Sequence, residues 1–324
     1  MTRYVIAADG GNSKTDIVLA SDAGEILSRV QVAGTRPHRH GMAATMRALA
    51  DGVHLAVERA DVPTTPAVAL ADFCLANIDV PEEEAAAQAE LERLGVADVV
   101  LVHNDTFAVL RAGATAGWGV AVVSGAGINA VGVHPDGRQH RFLALGPETG
   151  DWGGGEAVAV AGLGAAIRAG DGRGPDTVLR TVVPEALGRP SAEVIALELN
   201  RGKLQMHSML ALAPVVLVAA TGGDAMATEI VVRLADEVVD FAAAALRGLD
   251  LLESAAEVVL GGGMLQSGNP ILLDRIRDQL HATAPSAVLT VLDVAPVAGA
   301  LVDALMTIGA DPLAIARART ALRC

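Results

Sequence analysis

Apolar residues open the chain in two short runs, Tyr4-Val5-Ile6-Ala7-Ala8 and Ile17-Val18-Leu19-Ala20, split by the polar stretch Asp9-Gly10-Gly11-Asn12-Ser13-Lys14-Thr15-Asp16. Two β-like runs around a Gly-Gly turn predict a hairpin. Glu25-Ile26-Leu27-Ser28-Arg29-Val30-Gln31-Val32 alternates apolar with polar after an Asp22-Ala23-Gly24 turn, which extends the hairpin to a three-stranded meander. Residues 42–60 change to helical spacing, with Met46, Leu49, Val53 and Val57 on one side. Ala67-Val68-Ala69-Leu70 and Phe73-Cys74-Leu75-Ala76 read as a buried strand ending in Asn77-Ile78-Asp79. Pro81-Glu82-Glu83-Glu84 then begins a helix, with proline in the first turn and acids at the positive end of the dipole. Asp98-Val99-Val100-Leu101-Val102-His103 is almost wholly apolar, as a central parallel strand is, and it ends in Asn104-Asp105-Thr106 before another helix. The order β-β-β-α-β-α-β-α describes an antiparallel ribbon that continues into a parallel sheet.

The pattern then repeats. Trp118-Gly119-Val120-Ala121-Val122-Val123 closes on Ser124-Gly125-Ala126-Gly127-Ile128-Asn129, Ala130-Val131-Gly132-Val133-His134 returns, and His140-Arg141-Phe142-Leu143-Ala144-Leu145 supplies a third strand. A second hairpin tip of glycines and small polar residues echoes the first, and duplicated units of this kind form two-lobed proteins. After the glycine-rich residues 145–156, helices dominate from Ala157 to about Leu249, with a break at Thr221-Gly222-Gly223-Asp224. Glu257-Val258-Val259-Leu260 is a strand running into Gly261-Gly262-Gly263; one more helix leads to the strand Val288-Leu289-Thr290-Val291-Leu292, and Pro296-Val297-Ala298-Gly299-Ala300 opens a final helix.

Composition narrows the function classes. At 324 residues and 52% hydrophobic, the chain holds one large or two ordinary domains with a substantial core. A net charge of −14 argues against a broad basic surface for nucleic acid or anionic membrane. Cys74 and Cys324 make neither a disulfide framework nor a zinc or iron–sulfur motif. No signal-peptide pattern and no membrane-length apolar run is present, so a cytoplasmic location is expected.

The candidate chemistry sits in the interruptions. Glycines at the first tip let backbone N–H groups approach an anion, Asn12, Ser13 and Thr15 add polar donors, and Asp9 places a carboxylate at the strand end. Such a set suits phosphate held with a divalent cation, or it is an ordinary hairpin tip. Asp105 lies at the carboxyl end of a strand, where open α/β sheets bind ligands, and could serve as a base; Asn-Asp-Thr is equally a helix cap. Gly150-Asp151 offers a second acid, or an Asp in a turn. The triglycine 261–263 gives a flat surface for a base or ribose, or a loose strand-to-helix turn. Gly34-Thr35-Arg36-Pro37-His38-Arg39-His40-Gly41 is a solvated basic connection or a rim that touches substrate or phosphate. His38, His40, His103 and His207 fall in no metal-ligand spacing and are expected to be structural or surface residues. Neither a P-loop nor a Rossmann fingerprint occurs.

Taken in order, Asp9-Gly10-Gly11-Asn12-Ser13-Lys14-Thr15, Asn104-Asp105, Ser124-Gly125-Ala126-Gly127-Ile128-Asn129, Gly150-Asp151 and Gly261-Gly262-Gly263 resemble the motifs of the sugar kinase/Hsp70/actin superfamily. Within it the chain looks like the BadF/BadG/BcrA/BcrD ATPase family, which includes N-acetylglucosamine kinase. The Gly223-Asp224 break and the segment 295–300 share in the likeness, which spans nearly the whole chain. The resemblance implies an α/β fold of two RNase H-like (actin-like ATPase) lobes around a nucleotide cleft, one of residues 1–115 plus about 301–324 and one of residues 116–300. It implies ATP and Mg2+ as cofactors and a small-molecule sugar as partner, and family members are often homodimers. Asp9 would hold the metal through water. Gly10, Gly11, Asn12, Ser13, Lys14 and Thr15, with Ser124, Gly125, Ala126, Gly127 and Gly261, Gly262, Gly263, would bind ATP. Asp105 would be the base for the sugar 6-hydroxyl, and Asn104, Asn129 and Asp151 would bind sugar hydroxyls.

Departures from the family pattern cluster around the sugar. The usual Ser-Gly-Thr-Gly-Ser tip carries Ala126 and Ile128 here, the usual Gly-Asp-Glu-Gly-Ser becomes Gly150-Asp151-Trp152-Gly153-Gly154, and a loop with a substrate-binding Asn in the acetylglucosamine kinases reads Thr35-Arg36-Pro37-His38. In this the chain is similar to the glucosamine kinases of high-GC actinobacteria, which implies glucosamine as substrate, with Glu148 the partner of its cationic amine. N-acetylglucosamine or another hexosamine is the alternative, and a catalytically silent sugar-sensing module is the alternative of another class. The family's iron–sulfur ATPase activators need a cysteine pair per subunit, which Cys74 and Cys324 do not resemble.

Overall fold

A computed structural model of the chain describes residues 2–60, 62 and 68–323. Ala67, expected at the head of a core strand, and the terminal Cys324 lie outside the described residues. The chain divides into two compact units, Met1–Ala121 with Leu292–Cys324, and Val122–Val291.

The first unit begins β1 (Tyr4–Gly10), β2 (Lys14–Ser21), β3 (Ile26–Ala33), α1 (Pro37–His40), α2 (Met42–Arg59), β4 (Val68–Leu75), α3 (Pro81–Arg93), β5 (Val99–Asn104) and α4 (Asp105–Gly113). The sheet order is β3-β2-β1-β4-β5. β1, β2 and β3 pair antiparallel, whereas β1, β4 and β5 run parallel. The carboxyl ends of β1, β4 and β5 therefore lie along one edge, where Gly10 pairs with Leu75 and Leu75 with Asn104. Alternate residues Ile6, Ala8, Ile17, Leu19, Phe73 and Leu75 bury one face against Met46, Leu49 and Val53 of α2 and Leu91 of α3. Burying apolar side chains at this spacing, at about 25 cal/mol per Å2, is what holds the edge in place.

The second unit carries the end of β6 (Gly119–Ser124), whose first three residues fall in the first unit, then β7 (Ile128–Val133), β8 (Gln139–Arg141), α5 (Gly155–Asp171), α6 (Leu179–Ala186), α7 (Ala192–Asn200), α8 (Ala213–Thr221), α9 (Ala225–Gly248), β9 (Glu257–Gly261), α10 (Pro270–Thr283) and β10 (Val288–Val291). Its sheet runs β10-β9-β6-β7-β8, which read from β8 is the order of the first sheet. The sequence echo is thus an echo of topology. The chain returns to the first unit as α11 (Val297–Thr307), which packs on β1, β4 and α4, and α12 (Pro312–Ala321).

Four local features differ from expectation. The basic loop contains the short helix α1, with Pro37 in its first position. The strand expected over residues 140–145 stops at Arg141. There Phe142 turns its ring edge-on to Phe241 of α9 at 4.8 Å, and Ala144 takes a positive φ of 49°. The long helical region begins at Gly155 and divides into five helices; at the predicted break Asp224 caps α9 through the Ala227 N–H and also accepts from the Thr177 hydroxyl. The carboxyl terminus holds two helices, because Asp311 starts a fresh cap by accepting from the Leu313 N–H. No single helix among the described residues is long and apolar enough to cross a membrane.

Candidate active site

In the first unit, Asp9 and Asp16 face each other across the β1–β2 pair, and Gly11 closes the turn by donating its N–H to the Lys14 carbonyl at 2.9 Å. The N–H groups of Asn12 and Ser13 donate to nothing among the described residues. Two adjacent unengaged N–H groups at a glycine turn form an anion-binding nest. The loop after β3 lies directly on this turn: Thr35, fully buried, donates its N–H to the Gly11 carbonyl at 2.9 Å. Gly10 must be glycine for that contact, since a Cβ would fall 2.3 Å from Thr35 Oγ1 and 2.7 Å from Leu75 Cδ2.

Asp9 accepts no hydrogen bond among the described residues. Burial, and then the charges of Asp105 and Asp16, push its carboxyl up to about 8 against the opposing pull of Lys14. A carboxyl so placed either keeps a proton or takes a cation, and an acid-rich surrounding suits a hard divalent ion such as Mg2+. Lys14 is exposed, with its Nζ 3.5 Å from Asp16. Ser13 is exposed and Thr15 fully buried.

At the end of β5 the capping falls to Asn104: its Oδ1 accepts from the Thr106 N–H at 3.0 Å and the Thr106 hydroxyl at 2.6 Å. Its Nδ2 donates to the Ile78 carbonyl and to Asp79 Oδ1 at 2.9 Å, and its backbone N–H donates to Glu84. Asn104 is 2% exposed, so its amide is engaged inside the protein. Asp105 is left as the first residue of α4. Burial and the neighbouring Asp79 charge raise its carboxyl to about 7, opposed by the Thr106 N–H and its own N–H. That places its proton affinity where a general base works near neutral pH.

The turn after β4 ties these parts together. Asn77, at φ 60°, donates through Nδ2 to Asn12 Oδ1 at 3.0 Å and to the Thr35 carbonyl at 2.7 Å. Glu83 accepts from the Asp79 and Val80 N–H groups and lies 3.4 Å from His38. In sequence Asn77-Ile78-Asp79 reads only as a strand end; its closeness to Pro81, a helix start, is the signal of a tight polar corner.

In the second unit, Ser124 is fully buried and its hydroxyl donates to the Gly153 carbonyl at 2.6 Å. Gly125 donates its N–H to Gly127 across the tip, while the N–H groups of Ala126 and Gly127 donate to nothing among the described residues. The triglycine has a packing role: at φ 87°, a Cβ on Gly262 would fall 2.4 Å from the Ser124 oxygen, and Met264 donates its N–H to that oxygen. Gly261 ends β9, and Gly263 faces open space. Asn129 lies on β7 with its Oδ1 accepting from the Ala130 N–H. Asp151 accepts from the Gly146 N–H and the Thr149 hydroxyl, closing a one-turn 3-10 segment, and Glu148 on that segment is exposed. Trp152 is held by the Arg233 guanidinium 4.1 Å over its ring.

The structure thus brings Asp9, residues 10–15, Asn104 and Asp105 to one sheet edge of the first unit. In the second unit, residues 124–127 and 261–263 meet at Ser124. Glu148 lies on the 3-10 segment that Asp151 closes, and Asn129 lies on β7.

The model of the BadF/BadG/BcrA/BcrD ATPase family matches residues 8–304. The chain belongs to that family. It is similar to the N-acetyl-D-glucosamine kinase of Dictyostelium discoideum, 27% identical over 312 residues that cover 93% of this chain and 97% of the relative. It is also similar to the N-acetylmuramic acid/N-acetylglucosamine kinase of Clostridium acetobutylicum, at 24% identity with 87% and 92% covered. Among solved structures, a Chromobacterium violaceum protein provisionally assigned as an N-acetylglucosamine kinase superposes with a TM-score of 0.72, at 24% identity and 92% and 98% coverage. A ROK family glucokinase from Streptomyces griseus, solved with glucose and AMPPNP, superposes at 0.53, with 20% identity and 89% and 93% covered. The two-sheet α/β fold is that of these actin-like sugar kinases.

Proposed function

We propose that this family member is an ATP-dependent kinase that phosphorylates the 6-hydroxyl of an amino sugar, with D-glucosamine as acceptor. The observation that supports it most is Asp105, released from capping by Asn104 and raised to about 7 on the same sheet edge as the Asp9 turn. Asp105 takes the hydroxyl proton as the sugar oxygen bonds to the γ-phosphorus and the bond to the β-phosphate oxygen breaks, releasing ADP. The two pairs of unengaged N–H groups, at Asn12 and Ser13 and at Ala126 and Gly127, are the proposed phosphate donors. Asp9 would hold Mg2+, which when bound offsets phosphate charge.

The departures at Ala126, Ile128 and residues 150–154 support glucosamine, and exposed Glu148 is the proposed partner of its amine. N-acetylglucosamine is the second reading, because both named relatives act on it. A coupled ADP-release assay across glucosamine, N-acetylglucosamine, glucose and mannosamine, with and without Mg2+, separates them. Glucosamine should give the highest kcat/KM, and Glu148→Ala should raise its KM while leaving kcat alone. Preference for N-acetylglucosamine would move the acceptor to the second reading, and an absence of sugar-dependent turnover would favour a sugar-sensing module.

A further inference from the structure

The basic loop was open between a solvated connection, a sugar rim and a phosphate rim. The structure assigns Arg36 of that loop to the phosphates: we propose that its guanidinium is a catalytic cation that grips the transferring phosphoryl group. This rests on the kinase reading above.

Arg36 Nε donates to the Asn12 carbonyl at 2.6 Å, so the guanidinium is seated on the same turn whose Asn12 and Ser13 N–H groups stand unengaged. Its backbone is held from several sides. The Thr35 N–H donates to Gly11, Asn77 donates to the Thr35 carbonyl, and a Cβ on Gly34 would lie 2.3 Å from the Asn12 oxygen. Pro37 follows and keeps Arg36 out of the helical region, observed at φ −140° and ψ 64°. The two Nη nitrogens engage no acceptor among the described residues. A planar fork with one nitrogen pinned and two open is preorganised for phosphate oxygens.

The charge balance at the turn points the same way. Asp9 and Asp16 face each other across the β1–β2 pair and Asp105 follows the end of β5 on the same sheet edge, and a polyanionic triphosphate arriving there needs more positive charge than one ion held by Asp9 supplies. Lys14 is the obvious candidate from sequence, yet its ammonium is 61% exposed and sits against Asp16, which Arg29 also approaches at 3.5 Å. His38 is turned to Glu83. Arg36 is the cation seated on the turn without a carboxylate partner among the described residues. Preorganised cations aimed at developing phosphoryl charge are worth roughly 100-fold or more in rate.

The test compares wild type, Arg36→Met and Arg36→Lys, with melting curves confirming that each folds. Calorimetry measures ATP and adenosine binding without sugar, and steady-state assays give kcat and both KM values. Arg36→Met should bind adenosine as wild type does, bind ATP about tenfold more weakly, and lose about 100-fold in kcat with sugar KM unchanged. Arg36→Lys should recover part of the ATP affinity and less of kcat, since a point charge lacks the fork. Unchanged ATP affinity and kcat in Arg36→Met would overturn the assignment, as would a rise confined to sugar KM. Should wild type show no sugar-dependent turnover, the kinase reading fails, and the ATP-against-adenosine comparison still decides Arg36.

Discussion

The two five-stranded sheets share one strand order, yet their hairpin tips are built from different chemistry. The β1–β2 tip carries Asp9, Lys14 and Asp16, and is stitched by Thr35, Arg36 and Asn77 to two neighbouring loops. The β6–β7 tip has no ionisable side chain from Ser124 to Ile128; its buried serine serves Gly153, and it offers backbone N–H groups alone. A duplicated fold thus presents a turn with unengaged N–H groups twice, and only one copy carries charged side chains. The proposed acid–base groups all lie in the first unit, and the tip of the second offers only uncharged donors.

The sharpest way to break that division is Asp105→Asn. It should lower kcat by at least about 100-fold, within the range of a general base, while ATP binding by calorimetry stays near wild type. Full activity would remove the first unit's claim to the chemistry. The next effect is on pH. Because the base must be unprotonated and burial holds Asp105 near 7, kcat/KM should fall about tenfold per unit as pH drops below about 7. Ala126→Ser, at the uncharged tip, should leave that profile in place.

Glycine substitutions sharpen the contrast further. Gly10→Ala drives a Cβ into Thr35 and Leu75 and should cost about 1–3 kcal/mol of stability by denaturant titration. Gly125→Ala and Gly127→Ala meet nothing within 4 Å, so they should leave stability nearly unchanged and show their effect as a raised KM for ATP. Equal destabilisation at both tips would contradict the difference in how they are packed.

The smallest effect lies beneath the first site. Asp72 in β4 is fully buried with neither oxygen meeting a donor among the described residues, and burial followed by the nearby Asp303 raises its carboxyl well above the usual range, against Arg111. Its ligating atoms, with those of His103 and Asp303, fall within 4.8 Å of one another, but Arg111 Nε already sits 3.2 Å from Asp303. A carboxyl that binds its proton more tightly when folded stabilises the fold in acid, and that contribution fades as pH climbs past about 4. Asp72→Asn should therefore raise the unfolding midpoint by about 2 °C, with the gain widening from pH 5 to pH 8. A gain that shrinks toward pH 8 would show that Asp72 is ionised and satisfied.

Much of this was visible in the sequence because it is local. Hairpin, meander, parallel strands and the repeat follow from apolar spacing and glycine positions within windows of a few residues. What escaped depends on contacts between distant segments. Asn104 and Asp105 are adjacent in sequence, and only the contacts with Ile78, Asp79 and Glu84 show that the Asn104 side chain and backbone N–H are tied into the fold. The triglycine reads in sequence as a platform or a loose turn, and its crossing over Ser124 depends on a strand far away in the chain. Asp72 was passed over between two apolar runs, since nothing in its neighbours signals that Asp303 and Arg111 await it from two helices. Arg36 reads in the sequence as part of a basic loop, and its seat on the Asn12 carbonyl depends on a contact between distant segments.

The most direct test of the central claim is sugar-dependent ADP release by wild type and Asp105→Asn across pH 5.5 to 8.5, with ATP binding measured in parallel. The account predicts turnover that requires an amino sugar, weakens below about pH 7, and is lost in Asp105→Asn while ATP still binds. ATP hydrolysis indifferent to sugar, or unchanged by Asp105→Asn, would contradict it.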